Sequence, residues 1–290
     1  VINIIENPKI NKVIFQGNER FKSEEILDLF KDDDFFIFYN VNNLDRFIDE
    51  FKKLYYSFGY NQINIEYNVR NNLDNKDLVD LDFNISEGKI STVNKIYFVG
   101  NNNFDKNELI SEIKSKENNF FLIFRNSNFK KYQVNNDVIR LSKFYKNNGY
   151  RDVEINYKTE YLSSKNRFNI YFYIVEGLVY NFAKFNGDTQ IIDINESQNE
   201  QIQNIVDNYY SEKIIKKNYY NLSNINKLKD ILSDYLYDIG LIFFDIQILE
   251  KNDDANIDVL YRIVDSQPQY INEINIYGNT RTLDEVIRRE

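Results

Sequence analysis

The spacing of the glycines constrains the fold of this chain more than any other feature. All nine glycines among the 290 residues fall into three recurring contexts. Gly followed by Asn or Asp occurs at Gly17, Gly100, Gly187 and Gly278; Gly followed by Tyr or Leu at Gly59, Gly149 and Gly240; and Glu-Gly at Gly88 and Gly177. Members of the first context are 83, 87 and 91 residues apart. Because glycine enters left-handed backbone conformations without a Cβ penalty, a fold that reuses a turn reuses its glycine. We therefore predict a tandem repeat, with all nine glycines as turn or helix-cap residues.

The residues between the glycines predict the content of one repeat. Apolar residues stand two and four positions before each Gly-Asn or Gly-Asp, as Val13 and Phe15 do, which indicates a strand with one buried face. A short and then a longer amphipathic helix follow, and the longer one ends at the Gly59-type glycine. Two alternating strands joined by a polar loop complete the unit. The predicted fold class is α+β: tandem βααββ units, each a three-stranded mixed sheet with two helices on one face.

The period divides the chain into five predicted segments. Residues 1–7 are a linker or the end of a preceding unit, residues 8–90, 91–178 and 179–268 form three units, and residues 269–290 begin a truncated further unit. The chain starts at Val1 without a basic and then apolar stretch, so we expect the natural N-terminus and any signal peptide to be missing. The junctions between units are short, which favours a semi-rigid array.

The third unit departs from the pattern of the first two. Gly187 is followed by Asp instead of Asn, and Leu241 replaces the Tyr that follows the equivalent glycines. The stretch 189–204 is longer and more polar than its counterparts. The sequence therefore defines its first helix less clearly than any other element.

Composition excludes several classes of function. The formal net charge is −9 and the pI is about 4.9, whereas nucleic-acid binding needs clustered Lys and Arg, so we expect no nucleic-acid partner. His and Cys are absent, which removes Ser-His-Asp and Cys-His catalysis and zinc sites built on those residues. No apolar stretch approaches the roughly 20 residues of a membrane helix. We expect no catalytic residue, no metal and no cofactor.

Three motifs carry a resemblance to a known family. They are Gly-Asn after the first strand, Tyr-x-x-x-Gly-Tyr at the end of the second helix, and Glu-Gly after the last strand. The stretch from Ile274 to Glu290, INIYGNTRTLDEVIRRE, repeats the opening of a unit. Over nearly its whole length the chain resembles the POTRA (polypeptide-transport-associated) domain family. The resemblance implies the second, third and fourth of five POTRA domains of an outer-membrane barrel assembly factor.

The resemblance also implies partners and a location. The chain would lie on the periplasmic side of the bacterial outer membrane, within a membrane protein complex. There it would receive unfolded outer-membrane proteins, dock accessory lipoproteins, and pass clients for insertion to its own C-terminal membrane barrel, which lies outside this chain. Two alternatives stay open: the POTRA region of a two-partner secretion or autotransporter-assembly transporter, and a carboxylate-based enzyme. The acidic residues are distributed without a convergent pair, which disfavours the enzyme.

The second strand of the sheet in each of the first two units is a candidate client-binding edge. An exposed edge can pair backbone to backbone with an extended peptide, a mode known as β-augmentation that reads pattern and not sequence. The competing interpretation is an ordinary strand with solvated polar positions, since edges usually carry protection. The candidate residues, on strands predicted at 62–69 and 152–159, are Ile63, Ile65, Tyr67, Asp152, Val153, Glu154, Ile155, Asn156 and Tyr157.

Three further stretches allow two interpretations each. The acidic residues 32–34 lack the spacing of a calcium loop, so we predict a solvated loop. The aromatic runs 35–39 and 120–124 recur at equivalent places, and they either pack between the helices or form an exposed contact for clients or lipoproteins. Arg288, Arg289 and Glu290 are helix-face charges in a generic protein, while the POTRA resemblance makes them candidates for lipoprotein docking.

Overall fold

The computed structural model describes residues 7–31, 35–72, 75, 77–118, 126–189, 194–214 and 218–266. The chain divides into two compact parts, residues 1–178 and residues 179–290. Three βααββ repeats follow one another, two in the first part and one in the second. The predicted α+β class with three-stranded mixed sheets is confirmed.

The first repeat shows how the sequence builds one unit. Its elements are β1 (Lys9–Gln16), α1 (Ser23–Leu29), α2 (Val41–Phe58), β2 (Asn64–Asn71) and β3 (Leu78–Ser86). The order in the sheet is β1-β3-β2, with β1 parallel and β2 antiparallel to β3. A parallel pair needs a long crossover, and the two helices supply it. The Asn40 side chain accepts hydrogen bonds from the first turn of α2, and Gly59 ends that helix at φ 98°.

The second repeat has the same order of elements. They are β4 (Thr92–Val99), α3 (Lys106–Glu112), α4 (Lys131–Lys146), β5 (Glu154–Leu162) and β6 (Arg167–Val175). The sheet order is β4-β6-β5, with the same mixture of parallel and antiparallel pairing. The Asp105 side chain and Glu108 form a capping box that starts α3.

The third repeat keeps the topology but has a longer first helix. Its elements are β7 (Asn181–Thr189), α5 (Glu196–Tyr209), α6 (Leu222–Asp238), β8 (Phe244–Asp253) and β9 (Asn256–Asp265), in the sheet order β7-β9-β8. Helix α5 has 14 residues, against seven in α1 and in α3, and a π-helical turn at Tyr210–Ile214 follows it.

Each repeat encloses its own hydrophobic core between the helices and one face of the sheet. In the first repeat the core is largely aromatic: Phe47 of α2 stacks on Phe51 and lies edge-on to Phe83 of β3. Phe47 is fully buried. A separate core for each repeat explains how the unit can be reused along the chain.

In the first two repeats, the position after the first strand has no room for a Cβ atom and therefore requires glycine. Gly17 and Gly100 have φ of 79° and 90°, and a Cβ on either would lie 2.1 Å from the carbonyl oxygen of Ile85 or Ile174. Positive φ also occurs at the glycines of the other two contexts: Gly59, Gly88, Gly149, Gly177 and Gly240. Gly278 lies outside the described residues.

The prediction of a turn at Gly187 is wrong. Strand β7 continues through Gly187 to Thr189, and Asp188 and Thr189 pair with β9. A Cβ on Gly187 would lie 3.3 Å from Cγ2 of Ile202 on α5, and the Gly187 amide donates to Gln203 Oε1 at 3.3 Å. Glycine at this position therefore admits a helix close to the strand, a different role from the turn at Gly17.

Candidate functional site

The second strand of each repeat forms an edge of its sheet. Strands β2, β5 and β8 each pair with the last strand of their repeat, β3, β6 and β9. Among the described residues, none of these three strands has a partner on its outer side. Each therefore presents a row of backbone N–H and C=O groups that another extended chain can use.

The opposite edge is partly covered in all three repeats. The segment between the two helices forms a β-bridge to the start of the first strand, at Lys9–Phe38, Thr92–Asn128 and Asn181–Tyr219. In the first repeat, the Ile10 amide donates to Ile37 O at 3.0 Å and the Tyr39 amide donates to Pro8 O at 2.8 Å. The two edges of each sheet thus differ, and the second-strand edge is the better candidate for an added strand.

Strand β5 shows what its edge can offer. Ile155 and Tyr157 are half-buried toward the core, and the Tyr157 hydroxyl donates to Asn135 Oδ1 on α4 at 2.7 Å. The alternate residues Glu154 and Asn156 are exposed. The apolar side chains are committed to the fold, so the strand offers its backbone and a polar outer face.

The two edge strands begin two residues later than predicted. Ile63, Asp152 and Val153 precede β2 and β5, which begin at Asn64 and Glu154. Ile65 is only 5% exposed, and Tyr67 is half-buried against the core. Of the nine candidates, Glu154, Ile155, Asn156, Tyr157, Ile65 and Tyr67 lie on edge strands.

The open edge strands β2 and β5 of the first two repeats both carry charged side chains. Arg70 on β2 makes an ion pair with Asp82 on β3. On β5, Glu160 accepts hydrogen bonds from Asn169 Nδ2 and the Tyr171 hydroxyl, both at 2.9 Å. These hydrogen bonds, first from Asn169 and then from Tyr171, lower the pKa of Glu160. Such charges discourage uncontrolled edge-to-edge association while leaving the backbone accessible.

A buried carboxylate after the last strand of the first repeat binds both the end of α2 and the segment after β1. This contact was not predicted from the sequence. The Tyr55 hydroxyl on α2 and the Arg20 amide both donate to Glu87 Oε1 at 2.7 Å. Burial, and then the hydrogen bond to Glu87, raises the pKa of Tyr55, so the phenol stays protonated and donates. The bond ties the end of the second helix to the end of the last strand.

The second repeat contains the same connection. The Tyr145 hydroxyl donates to Glu176 Oε1 at 3.0 Å, and the amide and side chain of Asn103 donate to the two carboxylate oxygens at 3.1 and 2.6 Å. Tyr55 and Tyr145 begin the two Tyr-x-x-x-Gly-Tyr motifs, and Glu87 and Glu176 belong to the two Glu-Gly motifs. The joint recurrence of the two motifs is the sequence signal for this hydrogen bond.

The third repeat lacks this connection. Leu236 stands where the first two repeats have the motif tyrosine, and Asp265 stands where they have the glutamate. A buried hydrogen bond runs elsewhere, from the Tyr261 hydroxyl on β9 to the Ile225 carbonyl on α6 at 3.0 Å. Helix and strand are again tied together, but through a different pair of positions.

The second repeat has one further buried carboxylate. Asp137 on α4 is completely buried and accepts from the amides of Lys114 and Ser115 at 2.8 and 2.9 Å. Arg140 donates to the same carboxylate at 2.9 Å. Asp137 therefore fixes the chain after α3 onto α4, and its role is internal to the repeat.

The aromatic run 35–39 divides between the two interpretations. Phe35 is buried and Phe36 packs against the core, whereas Ile37 and Phe38 are exposed. The acidic residues 32–34, the aromatic run 120–124 and the candidates Arg288, Arg289 and Glu290 lie outside the described residues. Within the described part of the chain, no group of acidic side chains is arranged to hold a metal ion. No helix there is long and apolar enough to cross a membrane.

Comparison with known proteins identifies the repeat. The family model described as "POTRA: Surface antigen variable number repeat" matches residues 8–88 and 91–177. The whole chain aligns with "Outer membrane protein assembly factor BamA" of Neorickettsia risticii at 26% identity and of Neisseria meningitidis serogroup B at 23% identity. It spans 38% and 36% of the lengths of those two proteins.

Solved structures to which the chain is similar include "Crystal structure of Haemophilus Influenzae BamA POTRA3-5". The match covers 89% of this chain and 96% of that chain, at 14% identity and a TM-score of 0.47. A second is "POTRA1-3 of the periplasmic domain of Omp85 from Anabaena", which covers 90% of this chain and 98% of that chain at 12% identity and a TM-score of 0.36.

Proposed function

The chain belongs to the POTRA family, and from that membership we propose that it is a periplasmic scaffold of the outer-membrane β-barrel assembly machinery. In this proposal it binds unfolded outer-membrane proteins and passes them to a membrane barrel of the same protein. Residues 8–90, 91–178 and 179–268 are its three POTRA domains, and residues 269–290 begin another. The alignment of the whole chain with parts of proteins named as outer-membrane assembly factors supports this role over that of a secretion transporter.

The observation that carries the proposal is the pair of unlike edges on each sheet. On one edge, the start of the first strand is covered by a β-bridge from the segment between the two helices. On the other edge, β2, β5 and β8 have no strand on their outer side among the described residues. An unfolded outer-membrane protein contains many segments that become β-strands when it folds. Strand addition does not require a particular sequence in such a segment. An open edge is therefore a surface on which one scaffold can receive many clients.

The side chains of the edge set the character of the interaction. Because Ile65 and Ile155 point toward the core and exposed polar residues occupy the other face, affinity comes mainly from main-chain hydrogen bonds. We expect weak and reversible binding, since a client must be released to the barrel. Selectivity is for extended chains with alternating apolar residues, and not for one sequence.

The same proposal assigns the other partners. Accessory lipoproteins dock on the array, with Arg288, Arg289 and Glu290 as candidate contacts. We propose a binding scaffold and not an enzyme, because the buried carboxylates Glu87 and Glu176 are both engaged by donors of their own repeat.

Strand addition at β5 can be tested by NMR titration with a peptide of alternating apolar residues ending in an aromatic residue. Amide hydrogen exchange first shows which alternate amides of β5 face outward, because those that pair with β6 are protected. Proline is then placed at Asn156 or at Thr159, whichever has the outward amide, which removes one donor without changing a core side chain. We expect chemical-shift perturbations along 154–162 in the parent and their loss in the proline variant.

Alanine at the same position is the matched control, because it removes the same side chain and keeps the N–H. The alanine variant should bind as the parent does. Perturbations centred on the helices, or equal in the proline and alanine variants, would contradict strand addition and favour the exposed Ile37 and Phe38 as the client surface.

A further inference from the structure

The junction between the first and second repeats is held by hydrogen bonds from both sides. Residues 87–91 connect β3 to β4. On the side of the first repeat, Gly59 O accepts from the Ser91 amide at 2.9 Å. A Cβ on Gly59 would lie 3.1 Å from Cγ2 of Ile90, so the connecting segment lies directly against the end of α2. Ser91 is completely buried.

Asn61 connects the two repeats across this junction. Its side-chain amide donates to Gly59 O at 2.9 Å and to Phe129 O at 3.0 Å. Gly59 ends α2 of the first repeat, and Phe129 precedes α4 of the second. One amide group therefore holds the ends of two helices in different repeats.

Asn166 holds the connecting segment from the side of the second repeat. It has φ 48° in the loop between β5 and β6, and its Nδ2 donates to the carbonyls of Lys89 and Ile90 at 3.1 and 3.2 Å. Its Oδ1 accepts from the Ser91 hydroxyl at 2.7 Å. The last three connecting residues, 89–91, are thus all bonded to one side chain.

These bonds are not a requirement of the repeat itself. The equivalent of Asn166 in the third repeat is Ala255, since the Thr92 amide donates to Asn166 O and the Asn181 amide donates to Ala255 O. Counted from the Glu-Gly motif, Tyr180 occupies the position of Ser91. The fold forms without the asparagine and the serine, so these residues serve the junction.

We infer that Asn61 and Asn166 lock the first and second repeats at one fixed angle, so that the two move as a single rigid body. Domains of one chain ordinarily move relative to one another unless the interface between them is large and apolar. Here the interface is stiffened because backbone carbonyls at the junction accept hydrogen bonds from side-chain amides of both repeats. Its use in function rests on the proposed scaffold role: the open edges β2 and β5 would keep a constant spacing for one client.

Distance measurements between spin labels test the lock directly. The chain contains no cysteine, so labels can be placed at will. One pair, at Glu24 on α1 and Glu112 on α3, spans the junction, and a second pair, at Glu24 and Asp49, lies within the first repeat. The full chain should give a single narrow distance distribution for the spanning pair.

Two variants should loosen the junction by separate routes. Asn166→Gly removes the side-chain bonds and tolerates the positive φ, and Asn61→Ala removes the other bridge. Each should broaden the spanning distribution, and the double variant should broaden it most, while the distribution within the first repeat stays unchanged. Asp254→Gly is the matched control, because Asp254 is the positive-φ loop residue of the third repeat (φ 50°). This variant should change neither of the two distance distributions.

A broad spanning distribution in the parent would overturn the inference, and so would a narrow one that survives the double variant. Both results concern the junction alone. Loss of peptide binding at β5 with the lock intact would instead contradict the proposed scaffold function.

Discussion

The first two repeats and the third reach the same topology with different internal connections. In the first two, a tyrosine at the end of the second helix donates to a buried glutamate at the end of the last strand. In the third, both residues are replaced, and Tyr261 bonds the Ile225 carbonyl instead. The strand order and the separate core are unchanged. The comparison shows that the apolar pattern specifies the topology, and the polar connections are interchangeable ways of fixing the ends of the elements.

The glycine after the first strand gives the largest expected difference between the repeats. Gly17→Ala and Gly100→Ala place a Cβ at positive φ and 2.1 Å from a carbonyl oxygen, so the strand or the turn must move. We expect each to lower the free energy of unfolding of its own repeat by about 2–5 kcal/mol, from left-handed strain and steric overlap. In Gly187→Ala the Cβ would lie 3.3 Å from Cγ2 of Ile202 and at 3.5 and 3.7 Å from Gln203 and Val206, so a small shift of α5 accommodates it and the cost should be about 1 kcal/mol or less.

Hydrogen exchange resolved by repeat measures these effects. Protection should fall in the mutated repeat and persist in the others, because each has its own core. A loss of protection throughout the chain after Gly17→Ala would contradict independent folding. An effect of Gly187→Ala as large as that of Gly100→Ala would show that the same turn operates in the third repeat after all.

The buried glutamates give the next largest effect. Glu176→Ala leaves the Tyr145 hydroxyl and the Asn103 donors without their acceptor, and we expect a loss of about 2–3 kcal/mol in the second repeat. Asp265→Ala alters the equivalent, exposed residue of the third repeat and should change stability by less than about 0.5 kcal/mol.

A double-mutant cycle separates the Tyr–Glu bond from the rest of the effect. Tyr145→Phe should be less harmful in the Glu176→Ala background than in the parent. Additive losses would show that the two residues do not act together, and that the recurrence of Tyr-x-x-x-Gly-Tyr with Glu-Gly has another cause.

The smallest expected effect is a pH dependence confined to the second repeat. Burial tends to raise the pKa of Glu117, but the Ile96 amide donates to its carboxylate at 2.9 Å. Lys95 and Lys106 form ion pairs with it at 3.0 and 3.2 Å, and the net result is a pKa below the usual 4.5. Stabilisation from a lowered carboxylate pKa is complete above the unfolded-state pKa and is lost as the pH falls through the folded-state pKa.

We expect this contribution to be less than about 1 kcal/mol, since both lysines are largely exposed. Denaturant unfolding of the parent and of Glu117→Gln, compared between neutral pH and pH values below 4.5, measures it. The difference between the two proteins should shrink on acidification. A constant difference would mean that the charge of Glu117 does not contribute.

The sequence predicted the repeat, the order of elements and the mixed sheets, because glycine spacing and apolar periodicity report on backbone turns and buried faces. It failed at Gly187, where the residue context resembled the turn but close packing of α5 was the actual reason for glycine. It also missed Glu87 and Glu176, whose burial depends on contacts between residues more than 30 positions apart. The edge strands were expected, but their true start and the bridges that cover the opposite edge depend on three-dimensional pairing.

The claim that the second-strand edge is open while the start of the first-strand edge is covered can be tested by disulfide trapping. In the first repeat, Asn68→Cys places a thiol on β2 and Lys9→Cys places one beside the bridge to Phe38; both positions are exposed. A small activated thiol should label both equally, which controls for access. A peptide of alternating apolar residues with one activated cysteine should be trapped strongly at Asn68→Cys and little at Lys9→Cys. Equal trapping at the two positions, or preference for Lys9→Cys, would contradict the account.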